Sequence, residues 1–139
     1  MEMNHRGSKI VLRLDKGEEI LESLKNLCQS HNIKLAEVSG IGAVNKASVG
    51  IFMQDTKEYH STELQGNMEI TSLMGNVTQK DGEVYIHLHI NLADESYQVH
   101  GGHLNSAWIG ATGELVIDVI DGQVEREYSE EIGLNLMKF

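Results

Sequence analysis

EVYIHLHINLADESYQVHGGHL, residues Glu83–Leu104, carries four of the seven histidines in the chain. Val84, Ile86, Leu88 and Ile90 alternate with Tyr85, His87, His89 and Asn91. A period of two predicts a half-buried strand with one aliphatic face and one polar face. His87 and His89 share the polar face, about 6–7 Å apart by strand geometry. Two imidazoles at that spacing can converge on one metal ion. After a polar loop, His100 and His103 flank Gly101-Gly102. Glycines let a backbone turn sharply or lie against another strand. A third histidine can therefore be brought back onto the first two.

The remainder of the chain sets bounds. Its 139 residues suit one domain with its own core, and a hydrophobic fraction of 40% is ordinary for a globular protein. There is no apolar run of membrane-spanning length and no basic-plus-apolar leader pattern, so a soluble, cytoplasmic protein is expected. One cysteine, Cys28, excludes an intramolecular disulfide. The net charge is −10, with only 11 Lys and Arg, and these are scattered. Nucleic-acid binding relies on cations that displace phosphate counterions, so the balance argues against a general DNA surface. Proline is absent and no repeat or low-complexity tract divides the chain.

Taken in order, residues 1–6 read as a flexible N-terminal segment and 7–139 as a single domain. Ser8–Leu14 alternates as a strand. Asp15 and Glu18 have capping-box spacing. Ile20, Leu21, Leu24, Leu27 and Cys28 then recur at helical spacing, which predicts one amphipathic helix ending near His31-Asn32. β pattern follows: Leu35–Ser39 into Gly40-Ile41-Gly42, Ala43–Gln54, Tyr59–Leu64, a turn at Gln65-Gly66-Asn67, and Met68–Val77 with Gly75 as a possible bulge. Lys80-Asp81-Gly82 turns into the histidine strand. Ser106–Ile120 is a long apolar strand, and Asp121-Gly122 is a hairpin signal with Gln123–Glu127 pairing back. The apolar ending, Gly133–Phe139, suits docking on a core or a neighbouring subunit.

Four features in order resemble the PPC domain, the plants and prokaryotes conserved domain. They are the early strand and helix leading into Ser39–Ala43, the segment Gly66–Asn76, His87-x-His89 with Gly101-Gly102-His103-Leu104, and Gly133–Leu136. The resemblance covers roughly Gly7 to Phe139. It implies an α/β fold of the α+β type: a mixed, mostly antiparallel sheet with one main amphipathic helix, assembled as a homotrimer. In land plants this domain follows an AT-hook that binds the DNA minor groove, and prokaryotic stand-alone members are commonly called DNA-binding. No Arg-Gly-Arg core of an AT-hook occurs in these 139 residues.

His87, His89 and His103 are thus the candidate ligands for zinc or another divalent transition metal, with His100 as a possible additional ligand. Three imidazoles with an open fourth position match an open zinc site. The bland reading makes them polar residues paired with carboxylates on an exposed or interface strand. Glu69, Glu114 and Asp94 are conceivable general bases, but no H-E-x-x-H, G-x-S-x-G or G-K-[ST] motif accompanies them. The expected function is a trimeric, metal-binding, non-catalytic binding or regulatory module with a small-molecule or protein partner. The alternatives are a DNA-binding regulator and a zinc-dependent enzyme on a small substrate.

Overall fold

Strand alternation decides which residues are buried. Ile10, Leu12 and Leu14 are fully buried while Lys9, Val11, Arg13 and Asp15 face outward. Leu88, Ile90 and Leu92 do the same on the histidine strand. The computed structural model describes residues 1–139. The elements are β1 (Glu2–Arg6), β2 (Lys9–Asp15), α1 (Ile20–Ser30), β3 (Ala36–Met53), β4 (Glu58–Lys80), β5 (Glu83–Ala93), β6 (Val99–Val119), β7 (Glu125–Ser129) and β8 (Leu134–Lys138). The mixed, mostly antiparallel sheet and one helix are the α+β fold expected.

The sheet closes on itself. β3 pairs with both β4 and β6, and β5 bridges the same two strands. The circuit β3–β4–β5–β6 thereby leaves no free edge on its four members where they meet. β1–β2 extends it beyond β6, and β7–β8 extends it beyond β4. α1 presents Ile20, Leu24, Leu27 and Cys28 to the aliphatic interior. Burial raises the Cys28 thiol pKa to about 11, so this cysteine packs as a small apolar residue.

Several boundaries differ from the sequence reading, each for a local physical reason. Residues 1–6 do not hang free: Glu2–Arg6 pairs antiparallel with β2, and the Met1 ammonium bonds Asp15 at 2.8 Å and Glu18 at 2.9 Å. Asp15 does not cap the helix. Glu18 turns its carboxylate back to the Asp15 N–H (2.7 Å), and Glu19 is the cap, accepting from Glu22 N–H at 2.7 Å. Glu19 also accepts from Ala107 N–H at 2.8 Å, which ties the helix start to β6.

Gln65-Gly66-Asn67 is not a turn. β4 runs straight through it, with Gly66 at φ +116° absorbing a bend where the β3 register slips between Val44 and Lys46. Gly75 is not a bulge either. It stays in register opposite Leu88, and its missing side chain lets the His87 carbonyl lie against it. Asp121-Gly122 turns the chain, but the next strand does not pair back on β6. β7 instead meets β4 in parallel at Gln79–Glu125 and forms its hairpin with β8.

Gly75 yields a test. A methyl group there would overlap the His87 carbonyl oxygen and the backbone of Leu88, neither of which is a flexible side-chain end. Gly75→Ala should therefore destabilise the fold by about 1–3 kcal/mol, the usual range for overpacking. Urea unfolding of the two proteins measures this, and equal midpoints would show that the strands can separate freely.

Candidate metal centre

His87 and His89 stand on one face of β5 because the other face is committed to the core. β6 delivers His103 directly opposite His89, in register. Gly102 and Gly101 pair with Ile90 and Asn91, and a side chain on Gly101 would strike the Ile90 carbonyl and Asn91. Gly101 thus permits the close β5–β6 approach that seats the third ring, and Gly102 lets β6 lie against the Gly50 carbonyl of β3. The ring centroids are 5.2 Å (His87–His89), 5.0 Å (His87–His103) and 5.7 Å (His89–His103) apart. One nitrogen from each ring lies within 4.8 Å of the others.

Three of the four remaining histidines have polar partners, and His5 lies against the His31 ring. His31 contacts Leu27 O and Ser30 Oγ, His60 contacts Glu58, and His100 Nε2 lies 2.9 Å from Asp94 Oδ2. His100 therefore stands outside the cluster, although it shares β6 with His103. Its bond holds the Asp94 carboxyl below the usual carboxylate range, helped by backbone N–H groups of Gln98 and Ser96. No carboxylate enters the cluster, so Glu69, Glu114 and Asp94 contribute none of its ligand atoms.

The donor set fits a transition metal. Imidazole nitrogens bind zinc at about 2.0–2.1 Å and also suit nickel or copper. Small side-chain rotations suffice to bring three nitrogens within 4.8 Å onto one such ion. The His87 and His103 rings are also held in the ligating state. Burial, then the charges of His103, Arg126 and His89, push the His87 pKa down to about 4. Burial, then His89, lowers His103 as well. Protons therefore compete for His87 only well below the ordinary histidine range near 6.5.

Two surrounding groups were invisible at the sequence level. Tyr59 folds over Gly50, donates its hydroxyl to Asn105 Oδ1 at 2.6 Å, and stands edge-on to His103 with centroids 6.0 Å apart. Arg126 lies on the other side of the cluster. Its Nη2 donates to Asn76 Oδ1 at 3.0 Å, and Asn76 is the β4 partner of His87. Placed between Glu125 and Glu127, Arg126 reads as one more surface charge. The available signal was alternation: if the glutamates face out, the arginine faces in.

The model of the Plants and Prokaryotes Conserved (PCC) domain matches residues 1–121. The chain belongs to this family. A PCC relative from Pyrococcus horikoshii, described as a plant- and prokaryote-conserved (PPC) protein, is 32% identical with a TM-score of 0.86, covering 99% of this chain and 94% of that one. A protein of Archaeoglobus fulgidus described as metal-containing is 35% identical with a TM-score of 0.87, covering 99% and 96%. A protein of Bacteroides thetaiotaomicron whose description suggests DNA binding is 30% identical with a TM-score of 0.96, covering 99% and 96%. Among curated proteins no match is found. No helix of this PCC domain is long and apolar enough to cross a membrane.

The depressed His87 pKa has a measurable sign. The unfolded ring takes a proton near pH 6.5, while the folded ring resists until about 4. The contribution to stability is fully present above 6.5 and is lost as pH falls from there toward 4. Metal-free wild-type protein should thus show a steeper decline in Tm between pH 6.5 and 4 than metal-free His87→Gln. Parallel declines would mean that burial does not hold His87 neutral.

Proposed function

We propose that this PCC domain is a homotrimeric metal-binding module, with His87, His89 and His103 holding zinc or a similar divalent transition metal and one coordination position left open. The supporting observation is the convergence of three imidazoles whose ring nitrogens face one another instead of a carboxylate. The metal-containing description of the 35% identical relative agrees with it. A bound ion of this kind acts as a Lewis acid toward whatever fills the open position. The protein's own part is to hold the His87 and His103 imidazoles neutral, orient all three rings from paired strands, and leave access from the exposed His89 side. With no general base in the cluster, we read the module as one that binds a small molecule or protein partner rather than turning it over. A cytoplasmic setting suits it.

Surface chemistry supports the assembly. Val11, Ile41, Met74 and Val116 are exposed around a cleft of about 440 Å³ on one sheet face. Leu134, Leu136, Met137 and Phe139 are exposed along β8 and just beyond it. Apolar patches of this kind mark interaction surfaces, and a closed threefold arrangement covers them without leaving free ends.

Single replacements test the metal and the assembly together. His87→Ala, His89→Ala and His103→Ala should each lose most of the metal from a wild-type content of about one ion per chain. His100→Ala should keep it. All four should still give three times the 15.5 kDa chain mass by light scattering, because the core side of these strands is untouched. Full metal content in His87→Ala and His103→Ala would overturn the site, and a monomeric mass would overturn the trimer.

The description of one relative raises DNA as an alternative, and charge disfavours it. Three chains at −10 carry 3 × −10 = −30 with neutral histidines. That field repels a polyanion. No shift of duplex DNA is expected at about 0.15 M salt. A shift that survives that salt and disappears on replacing lysines or arginines would reverse this reading.

A further inference from the structure

The buried residues include one charged side chain, Arg126, with 9% of its surface exposed. Buried charges are ordinarily paired, because removing a cation from water without an anion is costly. Arg126 has no carboxylate partner. The ion-paired cations Lys9, Arg13, Lys46, Lys80 and Lys138 all lie at the surface. Its guanidinium uses three neutral acceptors: Nε donates to Thr78 Oγ1 at 2.8 Å, Nη1 to Asn135 O at 2.9 Å, and Nη2 to Asn76 Oδ1 at 3.0 Å. It also lies over the Tyr85 ring at 4.8 Å. An arginine has five N–H donors, so three used leaves one on each terminal nitrogen.

The position of this charge is the second observation. Tyr85 precedes His87 by two residues on the same face of β5, and Asn76 is the β4 partner of His87. Same-face neighbours along a strand are about 6–7 Å apart. The guanidinium therefore sits beside the histidine cluster, and its charge is felt at His87. The cluster has no acid of its own. Neutral imidazoles, a divalent ion and an unpaired guanidinium make a strongly cationic spot on a chain of net charge −10.

We infer that Arg126 and the metal held by His87, His89 and His103 together bind a small oxyanion, a carboxylate or a phosphate group, which occupies the open coordination position and supplies the counter-charge Arg126 lacks. This rests on the metal reading given above. Arginine suits the role because its planar fork matches the oxygen spacing of both groups. No covalent step is involved. The role differs from a purely structural one, in which Arg126 only fastens the β7–β8 hairpin to β4. A structural clamp would leave anion affinity unchanged when its charge is removed.

The test uses cobalt(II)-loaded trimer at pH 7, titrated separately with sodium acetate and inorganic phosphate. Sodium chloride at matched ionic strength is the control. Visible absorption reads the ion's coordination. At least one oxyanion should saturably change the spectrum where chloride does not, and which one responds separates a carboxylate site from a phosphate site. Arg126→Gln should weaken that affinity at least tenfold while cobalt content stays at the wild-type level. Asn76→Asp is the second variant, because it offers the guanidinium an internal counter-ion without removing the clamp. It should weaken the anion at least tenfold as well, and it decides the matter if Arg126→Gln does not fold. Wild-type affinity in the folded variant, or no response to either oxyanion, overturns the proposal. A protein that takes up no cobalt defeats the metal reading instead. The anion site is then judged on metal-free protein: Arg126-dependent protection against thermal unfolding by either oxyanion supports it, and none overturns it.

Discussion

The pairing of His89 with His103 is the contact on which most of this molecule depends. It lies at the end of the β5–β6 ladder, where β6 leaves β5 and goes on along β3. The same ladder closes the strand circuit and brings the third imidazole to the first two. Gly101 makes it possible by removing a side chain where β6 must lie against the Ile90 carbonyl, and Gly102 does the same against Gly50 of β3. Closure also fixes the faces: slipping the ladder by one residue would turn Leu88 and Ile90 out and the histidines in. The aliphatic interior therefore polices the geometry of the polar site without touching it.

Around that contact the charges are arranged unevenly. Carboxylates hold Lys9, Arg13, Lys46, Lys80, Lys138 and the amino terminus at the surface, and exposed pairs of this kind contribute little stability. The polar face beside the histidines receives a guanidinium and no acid. Neutral acceptors and an aromatic ring hold Arg126 in place without cancelling its charge. The result is a local field opposite in sign to that of the chain as a whole.

Much of this was legible in the sequence, and the pattern of what was not is instructive. The helix followed from the spacing of Ile20, Leu24, Leu27 and Cys28, and the β5 faces from simple alternation. His87, His89 and His103 could be brought together on paper because they lie on adjacent strands joined by a short loop. His100 could not be separated from His103 by spacing alone, because its distinguishing feature is the neighbouring Asp94. Gly66 looked like a turn because a glycine with positive φ serves a bend and a reversal equally well. The second bond of Glu19 depends on Ala107, and the role of Arg126 on Asn76 and Tyr85, all distant in sequence. Period and local spacing carry no information about such partners.

The placement of all three histidines on one hairpin bears on how the molecule folds. Hairpins form in about 1–10 μs, whereas pairing β2 with β6 must first close the chain between residues as far apart as Lys9 and Asp118. The histidine cluster belongs to the fast, local part of folding, and the circuit around it belongs to the slow part. An ion captured by the β5–β6 hairpin would hold His89 against His103 before the long strands arrive. In folding terms, the three clustered histidines are also the residues best placed to act as an early staple.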